Sequence, residues 1–271
     1  MSTLPSRTPD DNDLLLPFEQ QVLPSEYKDY YQTKRNNFFA SIQKFPALWS
    51  YYVQLDKIWV HEIDLFKPSS LNRAFPALLY INAHAKARIA IELAFTGCIP
   101  EARSILRDAV EFVAHAHRLL KDPDLQTIWL NKNDDEEAFK KEFWYSKETG
   151  LFAGLDELYD VWCTLSERGS HANVTSICER IRSVEVDGQT ELRLNYTGGM
   201  DEKRWAMSIF DMLLTVFKME EALFQDYEIR LQFDENLLRI RRDFESYKEQ
   251  LRLFIISRYD IKPPDLPLIA P

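Results

Sequence analysis

The pattern of apolar and polar positions is organised around residues 76–120, which predict two helices joined by a tight turn at 97–100. The first of these helices is apolar on almost every side, a pattern that is typical of a buried helix. A glycine ends the first helix and a proline begins the second, and each residue favours that position. The sequence therefore predicts a central antiparallel helix hairpin.

Helical spacing of apolar residues recurs on both sides of this hairpin. One predicted helix begins at Ser25, which can cap it, and runs to about Lys44; the next begins at Pro46 and runs to Ile63. Later helices are predicted over 151–165, 201–219 and 234–257, with a short apolar segment at 125–130 and a short helix after 170. The predicted fold class is all-α, a multi-helix bundle around the central hairpin.

One stretch, at about 183–196, alternates between apolar and polar residues instead. Asp187 and Gly188 separate its two halves, and Asp-Gly between alternating runs is a strong signal for a two-residue β-hairpin turn. A two-stranded ribbon is only marginally stable alone. We therefore expect one small β-hairpin that packs on the helices.

The domain organisation follows from composition along the chain. Residues 25–260 are predicted to form a single helical domain, since apolar residues make up 45% and aromatic residues 13% of the chain, enough for a packed core. Residues 1–24 are polar and contain proline, which predicts a flexible N-terminal arm. Residues 261–271 are rich in proline, which predicts an extended tail.

The charge and the cysteines narrow the class of protein. The formal net charge of −10 disfavours nucleic acid as a partner, although a local basic groove for RNA stays compatible with it. No apolar run reaches the roughly 18 residues of a membrane span, and the N-terminus lacks the pattern of a secretory signal. The three cysteines fit neither a disulfide framework nor a zinc site. We expect a cytoplasmic protein with no membrane partner.

Ionisable residues recur every four positions on both helices of the central hairpin. They are His84, Arg88 and Glu92 on the first helix and Arg103, Arg107, Glu111 and His115 on the second. Residues at equal distance from the turn of an antiparallel hairpin lie side by side, which places opposite charges together at the inner positions. One interpretation is therefore an interhelical salt-bridge ladder that pairs Glu92 with Arg107, Arg88 with Glu111, and His84 with His115.

Two other interpretations of these residues stay open. On the second helix, Arg107 and Glu111 lie opposite the apolar arc, where they would form an i,i+4 pair that faces solvent. His117, in contrast, falls on the apolar side and is predicted to be at least partly buried. The third interpretation is a polar cleft lined by the charged rows and closed by the loop that bears Arg168, Ser170 and His171.

Neither a metal nor a cofactor is predicted. A di-metal carboxylate site in a helix bundle needs two Glu-x-x-His motifs, whereas Glu111 and His115 are four residues apart and have no second copy. The helix that begins at Pro46 carries a wide aromatic stripe, including Trp49 and Tyr52. We interpret this stripe as core, with a cofactor-binding box as the alternative.

Two segments resemble a known family. Residues 101–111 (EARSILRDAVE), followed by 165–171 (LSERGSH), resemble a family of uncharacterised, mostly bacterial, all-helical proteins. In that family a helix bearing Arg-x-x-x-Glu precedes a Ser-x-x-x-x-His segment, and the resemblance covers about residues 78–175. It implies that Arg107, Glu111, Ser166 and His171 converge, and it implies no particular activity.

A second resemblance concerns Arg168 and His171. All-helical HEPN ribonucleases carry an arginine followed four to six residues later by a histidine, whereas only two residues separate the pair here. Metal-independent RNA cleavage needs a histidine as acid or base near an arginine that stabilises phosphate charge. The similarity implies a ribonuclease of a defence or toxin type, with His171, Arg107 and Glu111 as its catalytic residues.

The sequence favours a non-enzymatic helical binding or interaction protein, because it is acidic, has aromatic-rich helices and lacks a strong catalytic motif. The HEPN-like ribonuclease is the alternative. The candidate binding residues are His84, Arg88, Glu92, His115, Ser166 and Arg168. The expected partner is a protein or a small molecule that the sequence does not identify, and a homodimer through the aromatic edge of the last helix is compatible with the pattern.

Overall fold

The computed structural model describes residues 24–66, 71–169, 174–195, 197 and 200–260. Within them the chain forms ten helices and one antiparallel β-hairpin, which confirms the predicted all-α class. The elements are α1 Ser25–Lys44, α2 Pro46–Asp64, α3 Leu71–Phe95, α4 Ile99–Lys121, α5 Leu125–Leu130, α6 Glu136–Glu142, α7 Asp156–Gly169, α8 Val174–Cys178, β1 Ile181–Val186, β2 Gln189–Leu194, α9 Glu202–Leu231 and α10 Glu235–Tyr259. Residues 1–23 and 261–271, on which the predicted arm and tail fall, lie outside the described residues.

Local signals place the ends of the long helices. The Asp201 side chain accepts a hydrogen bond from the N–H of Arg204 at 3.0 Å and caps α9. Asp234 accepts from the N–H of Leu237 at 2.7 Å and caps α10 in the same way. Ser25 lies in the first turn of α1 and does not cap it, because the preceding residue is the N-cap.

The helix predicted over 151–165 begins five residues later than expected. Leu151 and Phe152 are fully buried, but they lie in turns, and the chain changes direction at Gly154, where φ is +82°. This left-handed conformation suits glycine and interrupts a helix. The apolar pattern therefore correctly predicted that Leu151 and Phe152 are buried, but it wrongly predicted that the helix begins at 151.

The β-hairpin does not pack on the helices as expected. Asp187 and Gly188 have φ values of 51° and 76°, which give the turn geometry that matches the twist of a two-stranded ribbon. Six residue pairs then form the ladder, from Ile181 opposite Leu194 to Val186 opposite Gln189. Every residue of β2 is exposed. The prediction of packing is wrong for this strand, since none of its six residues is buried.

The core lies where α3 and α4 pack against each other and against α9, with α7 on α4 and α2 on α9. Gly97, with φ at +86°, makes the turn that folds α4 back along α3. Both helices bury a row of alanines, which lets their backbones approach closely. These fully or almost fully buried alanines are Ala83, Ala87, Ala90 and Ala94 on α3 and Ala102, Ala109 and Ala116 on α4.

The prediction that α3 is buried on all sides is wrong for one face. Leu78, Ile81 and Ile89 are exposed, together with Ala85 between them. A single apolar stripe suffices to bury the opposite face in the core, so apolar composition alone overstated the burial. Among the helices that the structure describes, none combines the length and the apolar character needed to cross a membrane.

A buried charge cluster joins α10 to α2 and α9. The Arg241 guanidinium of α10 donates to Glu62 of α2 at 2.9 Å and also to Glu220 and Glu221 of α9. It stacks at 3.9 Å over the ring of Phe224. Glu62 and Glu220 are both fully buried, so a single cation balances two buried carboxyl groups and one partly exposed carboxylate.

The excess of carboxyl groups shifts their protonation. Burial, the neighbouring Glu220 charge and a hydrogen bond between the two carboxyl groups raise the pKa of Glu62 well above its usual 4.5, against the opposing effect of Arg241. Burial also raises the pKa of Glu220. Glu62 therefore keeps its proton to a higher pH in the folded protein than in the unfolded chain.

We predict that the Glu62→Gln variant loses less stability than the wild type as the pH rises. Above about pH 4.5 the unfolded chain releases a proton that folded Glu62 retains, so the free energy of unfolding falls by up to about 1.4 kcal/mol per pH unit until the folded pKa is passed. Glutamine cannot release a proton, so the variant lacks this fall in the free energy of unfolding with rising pH. Urea unfolding of both proteins between pH 4 and 8 measures the difference, and a constant difference across this range would contradict the assignment.

Candidate functional site

Arg107 and Glu111 of α4 meet Ser166 of α7 at a polar cluster. Arg107 Nη2 lies 2.6 Å from Glu111 Oε1, and Arg107 Nε donates to Ser166 Oγ at 2.8 Å. These are three of the four residues whose convergence the family resemblance implies. The fourth, His171, lies outside the described residues.

Trp162 of α7 completes this cluster. Its indole N–H donates to Glu111 Oε1 at 2.9 Å, and its ring lies 5.0 Å beneath the Arg107 guanidinium. Tyr145 stacks on the same indole at 4.7 Å between ring centroids. Burial, followed by the charge of Glu111, raises the pKa of Tyr145, so its hydroxyl stays protonated at neutral pH.

The bonds within this cluster favour the i,i+4 pairing of Arg107 with Glu111 over the interhelical ladder, in which both residues would pair with α3. The i,i+4 pair of Arg107 with Glu111 is present, but it does not face open solvent, because the two side chains are only 22% and 20% exposed. Their polar atoms are engaged by α7. The cluster therefore attaches α7 to α4, and its arginine and carboxylate are already paired.

On α3, the residues His84 and Arg88 converge on Asp56 of α2. His84 Nε2 lies 2.8 Å from Asp56 Oδ1, and Arg88 donates from Nε and Nη2 to both carboxylate oxygens at 2.7 Å. The His84 ring also packs on Trp59 at 5.0 Å. Burial alone would raise the pKa of Asp56, but hydrogen bonds from His84 and Arg88 outweigh it and hold this pKa at about 2.

The predicted ladder between α3 and α4 is therefore wrong. Arg88 pairs with Asp56 and Glu111 with Arg107, while Glu92 lies exposed on α3. Arg88 thus reaches α2 and Arg107 reaches α7, and neither pairs across the α3–α4 interface as the ladder requires. One ion pair that does cross from α3 to α4 is Lys86 with Asp108, at 3.1 Å.

His115 lies in an aromatic pocket and not beside His84. Its ring centroid is 5.3 Å from that of Phe143 and 6.0 Å from that of Phe139, and Trp129 lies at 6.4 Å. Nδ1 is buried and has no hydrogen-bond partner among the described residues. Burial, with a smaller contribution from Lys132, lowers the pKa of His115 to about 4, so the ring is neutral at neutral pH.

A cleft of about 820 Å³ runs between α7 and α9. Its apolar lining comes from both helices and includes Leu158, Val161, Leu165, Met212, Leu214 and Phe217. Five carboxylates and three cations also line it: Asp156, Glu157, Asp160, Asp211 and Glu221 with Arg103, Arg168 and Lys218. Arg168, which the sequence placed beside His171 in a polar cleft, thus belongs to a cleft on the α9 side of α7.

Arg103 closes one end of this cleft. It is almost fully buried, lies 2.6 Å from Glu179 Oε1 through Nη1, and donates to Ser208 Oγ at 3.3 Å through Nη2. Burial raises the pKa of Asp211 in the same cleft, although Arg168 and Arg103 oppose this effect. The buried guanidinium is therefore neutralised by Glu179, from the turn after α8, before any ligand binds.

Sequence reasoning missed the partners that complete these clusters. Asp56, Trp162 and Glu179 are each a single polar or aromatic residue on another element, so no spacing marks them. His117 is buried as predicted, and its Nδ1 lies 2.9 Å from both carboxylate oxygens of Asp226. Tyr80 donates to the same carboxylate, which joins α3, α4 and α9 through one acceptor.

Within the described ranges, no group of three or more His, Cys, Asp or Glu side chains is placed to bind a metal ion. Comparison with protein-family profiles, with characterised protein sequences and with solved structures found no match.

We predict that Asp56→Asn lowers the free energy of unfolding by roughly 1–3 kcal/mol at pH 7, because it leaves His84 and Arg88 without their carboxylate. Folded Asp56 has a pKa of about 2, so its contribution exists above its ordinary value of about 3.9 and is lost as the pH falls toward 2. The matched control is Asp64→Asn at an exposed position of the same helix, with a change within about 0.5 kcal/mol. Urea unfolding measures both, and equal losses at pH 7 would contradict the role of Asp56.

Proposed function

We propose that this protein is a non-enzymatic helical interaction protein, and that it binds an amphipathic, cationic helix of a partner protein in the cleft between α7 and α9. The observation that carries the proposal is the combination of an apolar floor and an acidic rim along two neighbouring helices. Such a groove receives the apolar face of a third helix, which is a recurring mode of peptide recognition.

The dimensions of the cleft support a helical occupant. α7 has 14 residues and so forms a wall roughly 21 Å long, and α9, with 30 residues, is the longer wall. The cleft has a volume of about 820 Å³ and is lined along both helices, from Asp156 to Arg168 on α7 and from Ser208 to Gln225 on α9. A row of apolar side chains from one face of a helix suits this space better than a single compact ligand.

The charges of the rim support a cationic partner. Two of the three lining cations are already neutralised, since Lys218 lies 2.9 Å from Glu157 and Arg103 lies 2.6 Å from Glu179. Among the carboxylates, Glu221 pairs with Arg241 and Asp160 with Lys147. With these outside partners and Glu179 counted, carboxylates still exceed cations at the rim by one, in keeping with the net charge of −10 of the whole chain. Complementary charge of this kind speeds encounter and selects partners.

The polar clusters also support an interaction protein over an enzyme. Arg107, Glu111 and Ser166 bond to one another, and His84 and Arg88 bond to Asp56. These bonds hold neighbouring helices together and use the groups that catalysis would need. We further propose that the protein is cytoplasmic, in keeping with its three free cysteines. A homodimer through α10 stays a prediction.

We predict that a fluorescein-labelled amphipathic helix of leucine and lysine binds the protein, and that Thr164→Arg weakens this binding by about tenfold or more. Thr164 is exposed in the cleft, so arginine there adds bulk and a repelling charge. Fluorescence anisotropy measures the affinity, with Thr33→Arg as a control of equal charge on the exposed surface of α1. Equal binding by both variants, or equal binding of a leucine–glutamate helix, would overturn the proposal.

The ribonuclease alternative depends on His171, and it is tested separately. We expect the purified protein, incubated with RNA and no added metal, to show no cleavage that depends on this histidine. The measurement compares the wild type with His171→Ala by gel electrophoresis of the RNA. Cleavage that is lost in the variant would establish an enzyme and overturn the non-enzymatic proposal.

A further inference from the structure

The aromatic stripe of α2 is only partly core. Leu48, Leu55 and Trp59 are fully buried, as the sequence interpretation expects. Trp49 and Tyr52 instead line a cavity of about 580 Å³ between α1, α2 and α3. This cavity shares no lining residue with the α7–α9 cleft, so its role is independent of the proposed function.

Aromatic rings form most of the cavity wall. The Trp49 ring contacts Phe38 at 5.4 Å and Tyr52 at 5.5 Å, and both contacts fix its orientation from within the fold. Phe39 and Tyr31 line the cavity from α1 and remain 56% and 47% exposed. Exposed rings beside a cavity offer apolar faces and edges on which a planar group can stack.

The residues that line this cavity carry more positive than negative charge, whereas the chain as a whole is negative. Lys34, Arg35 and Arg88 line it together with one carboxylate, Glu92. Arg88 also binds Asp56 through two hydrogen bonds. The charged lining residues therefore comprise three cations and one carboxylate, in a chain whose net charge is −10.

We propose that the cavity between α1, α2 and α3 binds a planar aromatic anion, with its ring against Trp49 and Phe39 and its acidic group beside Lys34. Nucleotides and aromatic carboxylic acids share this chemistry. Aromatic walls supply stacking, and the cations supply charge-assisted hydrogen bonds to a phosphate or carboxylate.

Tyr52 adds a hydrogen-bond donor to the same wall. Burial, followed by the negative charge of Asp56, raises the pKa of its hydroxyl, so the group stays protonated at neutral pH. A protonated hydroxyl donates to an anionic oxygen and does not repel it. The cavity therefore combines stacking surfaces, a cationic side and a neutral donor.

Isothermal titration calorimetry of the full-length protein tests the proposal with four ligands. Adenosine 5′-monophosphate and indole-3-acetate each carry a ring and a negative charge, whereas adenosine lacks the charge and inorganic phosphate lacks the ring. We expect at least one of the two aromatic anions to bind more tightly than adenosine and phosphate, and the tighter of the two tells whether a nucleotide or an aromatic carboxylic acid is the preferred class of ligand. Binding of neither anion, or binding of both anions no tighter than that of adenosine or phosphate, would overturn the proposal.

Two matched pairs of variants locate the site. Lys34→Glu reverses a charge at the cavity, and Lys57→Glu makes the same change at an exposed position of α2 outside it. Phe39→Ala removes a stacking ring, and Tyr27→Ala removes an exposed ring of α1 that does not line the cavity. We expect the cavity variants to weaken binding about fivefold or more and the controls to change it by less than about twofold. Equal effects within either pair would overturn the assignment, and circular dichroism verifies that each variant is folded.

Discussion

Each charge that is buried between these helices must meet an opposite charge, and this constraint decides which helices lie together. Taking an ion out of water costs several kcal/mol, so an unpaired charge at a helix interface would work against folding. In this protein buried polar contacts join helices at four places, and the one between α4 and α7 is a hydrogen bond from Arg107 to Ser166 and not an ion pair. Asp56 of α2 bonds to His84 and Arg88 of α3, and Arg107 of α4 bonds to Glu111 of the same helix and to Ser166 of α7. Asp226 of α9 bonds to His117 of α4 and Tyr80 of α3. Arg241 of α10 bonds to Glu62 of α2 and Glu220 of α9.

The same constraint separates polar residues that hold the fold from those that remain available to a ligand. At the Asp56 and Arg107 clusters the polar groups bond to one another and link neighbouring helices, α3 to α2 and α4 to α7, which is what a structural role requires. The α7–α9 cleft and the α1–α3 cavity differ, because each presents apolar surface and charge to open space. Function is thus expected at surfaces that the buried pairs shape but do not occupy.

The starts of several long helices could be predicted from sequence because their signals are local, whereas α9, expected over 201–219, continues to Leu231. The starts at Pro46, Asp201 and Asp234 depend on residues within one turn, and the Asp187–Gly188 turn depends on two. The helix start expected at 151 was wrong because a run of apolar residues indicates burial, and buried residues occur in turns as well as in helices.

The candidate site could be predicted only where its contacts are local. The pairing of Arg107 with Glu111 follows from helical spacing, whereas Ser166 came from a resemblance and Trp162 was missed. Arg88 is the clearest example of a wrong partner. Its position along α3 predicted a pair with Glu111 of α4, whereas it pairs with Asp56 of α2. Spacing along one helix tells which residues share a stripe, but the neighbour that the stripe faces is decided by the packing of the whole bundle.

The exposed β-hairpin has a practical consequence. Its two strands pair only with each other in the part of the chain that the structure describes, and Arg182 lies opposite Arg193 in the ladder. Such charges discourage the pairing of strand edges with another chain. A Cβ atom at Gly188 would meet nothing within 4 Å, so the tip of the turn is surrounded by open space. A peptide tag or a whole guest domain inserted between Asp187 and Gly188 would displace no core side chain, which makes this turn the natural attachment point on the molecule.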